Sequence, residues 1–205
     1  GIVNFVNNTV SLQAPRMDFE KVNGQLTFEN DFITTNNLSL IWRGLPLEIV
    51  VNGIDKADYY NTDIALKADW RNDAWLPHVS PDLQKYFDGQ LQLQGDLSLY
   101  QHHGGGFSYQ FNLDSNLEPL QIKFPDPYYK LAKTKVPLQI EIKGQLDESV
   151  FNATYGDNLS FFGVLDHNTN HFARAHIVLG NEKMLLPMNG FHITSNLGDV
   201  IASEW

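Results

Sequence analysis

Three of the seven histidines form the most chemistry-laden cluster in the chain. His167 and His171 stand four apart, and His176 follows. Three imidazoles are what a zinc hydrolase uses to hold a metal and activate a water. That spacing works on a helix, where residues four apart share a face. Here Asn168, Thr169 and Asn170 intervene and read as a hairpin loop, so the expectation is a solvated turn and no metal. His102-His103-Gly104-Gly105-Gly106 offers glycine amides of the kind that wrap an anion. Phe107 then opens a strand rather than a helix, so this is expected to be a hairpin tip. There is no cysteine, which removes thiolate nucleophiles, disulfides and cysteine metal sites together. No Gly-x-Ser-x-Gly elbow, P-loop or dinucleotide fingerprint occurs. The acidic residues fall on outward strand positions and in turns, without a marked pair for glycoside hydrolysis. These readings point away from catalysis, and no cofactor is expected.

The elements that would position such groups are strands. Period-two alternation dominates. Ile64, Leu66 and Ala68 alternate with polar or small neighbours, as do Leu91, Leu93, Leu97 and Leu99, with Gly95 on the apolar side. Tyr109, Phe111 and Leu113 repeat the pattern, and so do Leu138, Ile140 and Ile142. Turn signals separate the runs: Asn23-Gly24, Asn30-Asp31, Asn52-Gly53, Gly156-Asp157 and Asn189-Gly190. This is the rhythm of antiparallel hairpins with one apolar and one wet face. Leu45-Pro46-Leu47-Glu48-Ile49-Val50-Val51-Asn52-Gly53 is echoed by Val136-Pro137-Leu138-Gln139-Ile140-Glu141-Ile142-Lys143-Gly144. A shorter Gly-Gln-Leu echo begins at Gly24, Gly89 and Gly144. Repeated hairpin units favour an extended sheet. Residues 72–86 break the pattern. Ser80 as N-cap and Pro81 at the first helical position predict one or two short helices there, at a sheet end or as a lid. Another helical turn is expected over Asp126–Lys133, and a last strand over Asp199–Ser203.

Composition narrows the partners. A hydrophobic fraction of 42% supports a real core. A net charge of −10 with scattered lysine and arginine argues against nucleic acid and against electrostatic docking on anionic lipid. The four Asn-x-Ser/Thr sequons, at Asn7, Asn37, Asn152 and Asn158, read as chance. Of the tryptophans, Trp42 and Trp70 fit inward strand positions and Trp75 fits a helix packed on the sheet. No apolar run reaches the length of a membrane helix. The chain opens on Gly1-Ile2-Val3, inside a strand-like pattern, and stops at Trp205 after another. It is expected to be an internal piece of a longer protein.

The runs Ser115-Asn116-Leu117-Glu118-Pro119-Leu120, then Phe124-Pro125-Asp126-Pro127-Tyr128-Tyr129-Lys130, and the returning Pro137-Leu138, taken in order, resemble the large AsmA-like envelope proteins, and within them the YhdP subgroup. Gly24–Gly53, Trp70–Leu76 and the closing Gly190–Trp205 are similar to the same pattern. The resemblance implies a non-enzymatic segment of a periplasm-spanning lipid carrier, whose full-length chain is anchored in the inner membrane. Its repeats would curl into an open β groove that holds phospholipid acyl chains. Flanking repeats of the same chain would be its other partners, and membrane contact would come only through parts of the protein outside this segment. The expected fold is mainly β: an extended, curled antiparallel sheet of repeated hairpins with one or two short helices. Residues 1–205 would form one groove segment, with repeat-like halves at about 1–71 and 88–205 joined by a helical connection at about 72–87. The expected lipid lining is Leu91, Leu93, Leu97, Leu99, Tyr109, Phe111, Leu138, Ile140 and Ile142. Two rivals stand beside this reading. One is a β-sandwich that recognises carbohydrate or protein, with the same residues in a dry core. The other is a metal-dependent hydrolase using His167, His171 and His176.

Overall fold

The computed structural model describes residues 1–13, 16–182 and 189–198. The strands are β1 (Ile2–Gln13), β2 (Arg16–Glu29), β3 (Phe32–Thr35), β4 (Leu38–Trp42), β5 (Leu45–Asp55), β6 (Tyr59–Trp70), β7 (Phe87–Gly89) and β8 (Leu91–His102). They continue as β9 (Phe107–Ser115), β10 (Leu120–Ile122), β11 (Leu138–Gln145), β12 (Glu148–Tyr155), β13 (Leu159–Asp166), β14 (His171–Leu179) and β15 (Gly190–Ser195). Two one-turn helices, α1 (Asn72–Trp75) and α2 (Pro81–Gln84), flank a 3₁₀ turn at Leu76–His78.

Thirteen of the strands form one curled sheet, in the order β1-β2-β3-β5-β6-β8-β9-β11-β12-β13-β14-β15, with β4 between β2 and β5. Neighbours in the sheet are neighbours in the chain, as hairpin-rich sequences dictate. Both β3 and β4 lie antiparallel to β2 on one side and β5 on the other, so together they act as a single strand broken at the turn-prone pair Asn36-Asn37. The last pair differs from the antiparallel expectation: β14 and β15 run parallel. Parallel neighbours need a connection longer than a hairpin turn.

The meander is interrupted twice, between β6 and β8 and between β9 and β11. Trp70 at the end of β6 pairs with Leu91 at the start of β8, and Leu138 at the start of β11 pairs with Ser115 at the end of β9. Both insertions therefore leave from the same edge of the sheet. They join through the two-stranded sheet β7–β10 and fold back as a cap. Its core is Leu45, Trp75, Leu117, Leu120 and Ile122, against which Trp70, Leu91, Leu138 and Tyr155 pack. Trp75 and Phe87 meet edge-to-face, and Phe124 stacks on Tyr86. Gly89 sits at φ +114°, and a side chain there would run into the Pro119 carbonyl, so the cap needs glycine at that junction.

The helices fall where Pro81 and the apolar spacing place them. Ser80 occupies the N-cap of α2, but its hydroxyl makes no capping bond. No helix forms over Asp126–Lys133. Pro125 and Pro127 push Phe124 and Asp126 away from helical backbone, and Lys130 instead bridges Ile122 through paired backbone bonds of 2.8 and 2.9 Å. The Asp199–Ser203 strand lies outside the described residues. The sandwich expectation fails on packing: among the described residues the other sheet has two strands and lies in the cap, not across the large sheet's face.

Candidate functional site: an apolar trough across the sheet

Cross-strand partners share a face, so the registers trace rows across the sheet, one residue per strand. One row runs Val3, Leu26, Thr35, then Val51, Ile64, Leu97, Phe111, Ile142, Phe151, Gly163, Ala175 and Phe191. Thr35 joins Val51 by accepting its amide N–H at 2.7 Å. A second row runs Leu38, Ile49, Leu66, Gly95, Leu113, Ile140, Ala153, Phe161, Ile177 and Ile193. At about 4.8 Å per strand, the first row extends roughly 50 Å. Most of its side chains are half-buried, whereas Asp63, Lys67 and Gln94 on the opposite face are exposed.

All the residues expected as lining lie on this one face, and the structure separates them by surroundings. Leu97, Phe111, Ile140 and Ile142 lie in the open rows. Leu99 and Tyr109 pair beside the rows, on the edge away from the cap. Leu93 is 8% exposed. Leu91 and Leu138 pack against the cap core, so the cap covers them. Ile64, Leu66, Leu113, Phe151 and Phe161 share the face and were not among the expected lining. Their alternation was visible; which alternating runs would be adjacent was not.

Aromatic rings level the floor at three of its glycines. The two proline-to-glycine echoes are β5 and β11. Gly53 lies under Tyr60 of the adjoining β6, and Gly144 lies under Tyr109 of β9. Gly163 lies under Phe172 and Phe161. Each ring fills the space that a Cβ would need.

Tyr109 also begins a half-buried polar chain. Its hydroxyl is 2.6 Å from Ser149 Oγ, which is 2.6 Å from His167 Nε2. His167 Nδ1 faces the Leu146 carbonyl at 2.9 Å. A carbonyl only accepts, so Nδ1 carries the proton. Nε2 then accepts from Ser149, and Ser149 accepts from Tyr109. Ser149 is 1% exposed, and its histidine is oriented by a backbone carbonyl rather than a carboxylate. The chain satisfies buried polar atoms beside the trough.

The other two histidines of the sequence cluster have separate partners. Residues 167–170 form the β13–β14 turn, held by Asp166, which accepts the amides of Thr169 and Asn168 at 3.0 and 2.8 Å. Those bonds, Thr169 first, hold the Asp166 carboxyl below the usual carboxylate range. His171 turns to the Thr169 carbonyl, and buried His176 bonds Thr194 Oγ1 at 3.0 Å. Among the described residues no cluster of His, Cys, Asp and Glu could hold a metal. His103 closes the β8–β9 tip with a 3.0 Å contact to Asp55. Trp70 Nε1 donates to the Pro46 carbonyl at 2.6 Å and Trp75 Nε1 to the Gly89 carbonyl at 3.2 Å, so both are packing residues with satisfied donors.

The polar face holds a depression of about 740 Å³ whose walls include Lys21, Glu48, Lys67, Asp69 and Asp114. Its charges are mixed in sign. No helix among the described residues is long and apolar enough to cross a membrane.

Comparison with known proteins agrees with the resemblance in the sequence. A curated relative, the "Intermembrane phospholipid transporter YhdP" of Escherichia coli (strain K12), is 20% identical over 149 residues, covering 72% of this chain. The matched stretch is 12% of that protein's length. No solved structure matches. The family model described as "YhdP protein" matches residues 1–205, and the chain belongs to the YhdP family.

Proposed function

We propose that this chain is a non-enzymatic stretch of a lipid-carrying groove. Phospholipid acyl chains would partition onto its apolar face and move along the rows. The observation that carries the reading is the half-buried apolar trough, continuous from strand to strand and, among the described residues, capped along one edge. A relative named as an intermembrane phospholipid transporter supports it. Each buried methylene gains about 0.8 kcal/mol, so a tail of about fifteen gains on the order of 12 kcal/mol over water. Leu97, Phe111, Ile140 and Ile142 are the central contacts in this reading, with Leu93, Leu99 and Tyr109 at their margins and Leu91 and Leu138 anchoring the cap. Residues 1–205 act as one groove segment, continued by flanking repeats of a longer chain. The reading places it in the periplasm, with the inner-membrane anchor elsewhere in that chain.

The test is photo-crosslinking from a benzophenone side chain at Leu97 or Ile142, with outward-facing Ser98 and Glu141 as controls. Lipid adducts are expected from the first pair only. Equal labelling from both faces, or none from the trough, overturns the reading. Ile142→Asp places a charge in the tail path and should lower lipid recovery by about tenfold or more.

A further inference from the structure

The trough is not uniform along its length. Between β12 and β14 three phenylalanines converge on its floor. The Phe172 ring meets Phe151 at 5.7 Å and 72°, and Phe161 at 5.6 Å and 84°. Both are edge-to-face contacts, the arrangement the ring quadrupoles favour. Gly163 lies beneath: a Cβ there would sit 2.7 Å from Phe172 and 2.8 Å from Phe161. Its cross-strand partner Ala175 has no exposed surface.

Phe172 reaches this face through an irregularity. Val164 pairs with Arg174, but Leu165 pairs with Phe172, so Ala173 is an extra residue in β14. Regular alternation from Ala175 would put Ala173 on the trough face and Phe172 on the opposite one. The bulge exchanges them, and bulges re-aim side chains in this way. Phe172 remains 44% exposed, within reach of a guest in the trough. Across the trough, Tyr155 is tied to the cap by its hydroxyl bond to the Tyr128 carbonyl at 3.3 Å. The rings and the cap therefore confine the passage from opposite edges.

We propose that Phe172, braced by Phe151 and Phe161, is a sill across the trough that divides the acyl-chain path into two stretches. Tails rest on the β5–β11 floor on one side and against β15 on the other, and cross above the sill. This rests on the trough being an acyl-chain path.

The experiment uses the 205-residue chain and phosphatidylcholine vesicles carrying a diazirine midway along one tail, with adducts mapped by peptide mass spectrometry. Adducts are expected at Leu97, Phe111 and Ile142 and at Ile193, with Gly163 and Ala175 unlabelled. In Phe172→Ala the adducts at Gly163 and Ala175 should rise several-fold relative to those at Phe111. Phe172→Leu, which keeps more of the packing, should raise them less. Labelling of Gly163 and Ala175 in the unaltered chain at the level of Phe111 overturns the sill while leaving the path intact. So does a folded Phe172→Ala variant with an unchanged map. If no position in the trough is labelled, the acyl-chain path itself falls and the sill with it. The map of the unaltered chain decides the matter even if the alanine variant does not fold.

Discussion

Gly144→Ala is the smallest change that interrogates how the trough floor is built. The φ of Gly144 lies outside the left-handed region, so alanine meets no backbone penalty there. It meets the Tyr109 ring instead, because a Cβ at Gly144 overlaps that ring. Forcing a methyl into a packed site costs about 1–3 kcal/mol. Moving the ring also breaks the 2.6 Å bond from Tyr109 to Ser149, worth about 1 kcal/mol. Against this, removing glycine flexibility from the unfolded chain returns about 0.4–1 kcal/mol. The net is a destabilisation of about 2 kcal/mol, or a fall in Tm of about 4–8 °C for a chain of this size. Urea unfolding followed by tryptophan fluorescence would measure it, with coincident circular dichroism as the two-state check. Tyr109→Ala in the same background removes the obstacle, so the double-mutant cycle should show a coupling of about 2 kcal/mol. Tyr109→Phe keeps the ring and loses only the bond, costing about 1 kcal/mol. Tyr60 over Gly53 provides the contrast. Its buried hydroxyl has no hydrogen-bond partner among the described residues, so Tyr60→Phe should be neutral or stabilise by about 1 kcal/mol. Additive effects of Gly144→Ala and Tyr109→Ala would refute the claim that the ring rests on the glycine.

Trp75→Ala removes the largest side chain of the cap core and should cost about 3–5 kcal/mol; a loss below about 1 kcal/mol in urea unfolding would mean the cap is not an integral part of the fold. Buried Lys130 and half-buried Tyr155 should give opposite pH dependences. Burial holds Lys130 below its usual 10.5, with Glu118 pulling it back up. Between its folded value and 10.5 the unfolded chain binds more protons, so this group adds stability as pH rises. Burial raises Tyr155 above 10.0, so from 10.0 upward the unfolded chain ionises first and stability falls. Urea midpoints from about pH 8 to about pH 11 should lose the rising component in Lys130→Met and part of the falling one in Tyr155→Phe, since burial also raises Tyr60 and Tyr128. A Lys130→Met difference that stays flat across that range would contradict the assignment.

The strands and their inward faces were legible in the sequence because alternation is a local property: Leu97, Phe111 and Ile142 declare their face from their neighbours alone. The cap was not. Leu120 and Ile122 alternate like any strand, yet β10 leaves the large sheet and pairs with β7. Leu91 and Leu138 alternate like lining, yet both meet Trp75's core because two insertions leave from one edge. Such pairings depend on where distant chain ends meet. Phe172 was equally illegible, since its position on the floor is set by one extra residue, Ala173, that shifts the register of β14. The Gly-Gln-Leu echo, by contrast, was readable as repetition but not as cause. Its glycines at 24, 89 and 144 are each pressed by a neighbour, respectively Leu38, Pro119 and Tyr109.

The shallowness of the trough matters for what it is proposed to do. A deep pocket that withheld a whole tail from water would keep the roughly 12 kcal/mol of its transfer, and release would be slow. Half-exposed Leu97, Phe111 and Ile142 cover one side of a guest only, so each advance by one strand exchanges a similar apolar contact for the next. Glycines topped by Tyr60 and Tyr109 serve the same end, because a bare glycine would leave a dip in the floor and a standing side chain a barrier. On the proposed path, the rings over these glycines keep successive steps nearly equal in free energy, and the bulge that lifts Phe172 into the trough is the place where that equality is broken.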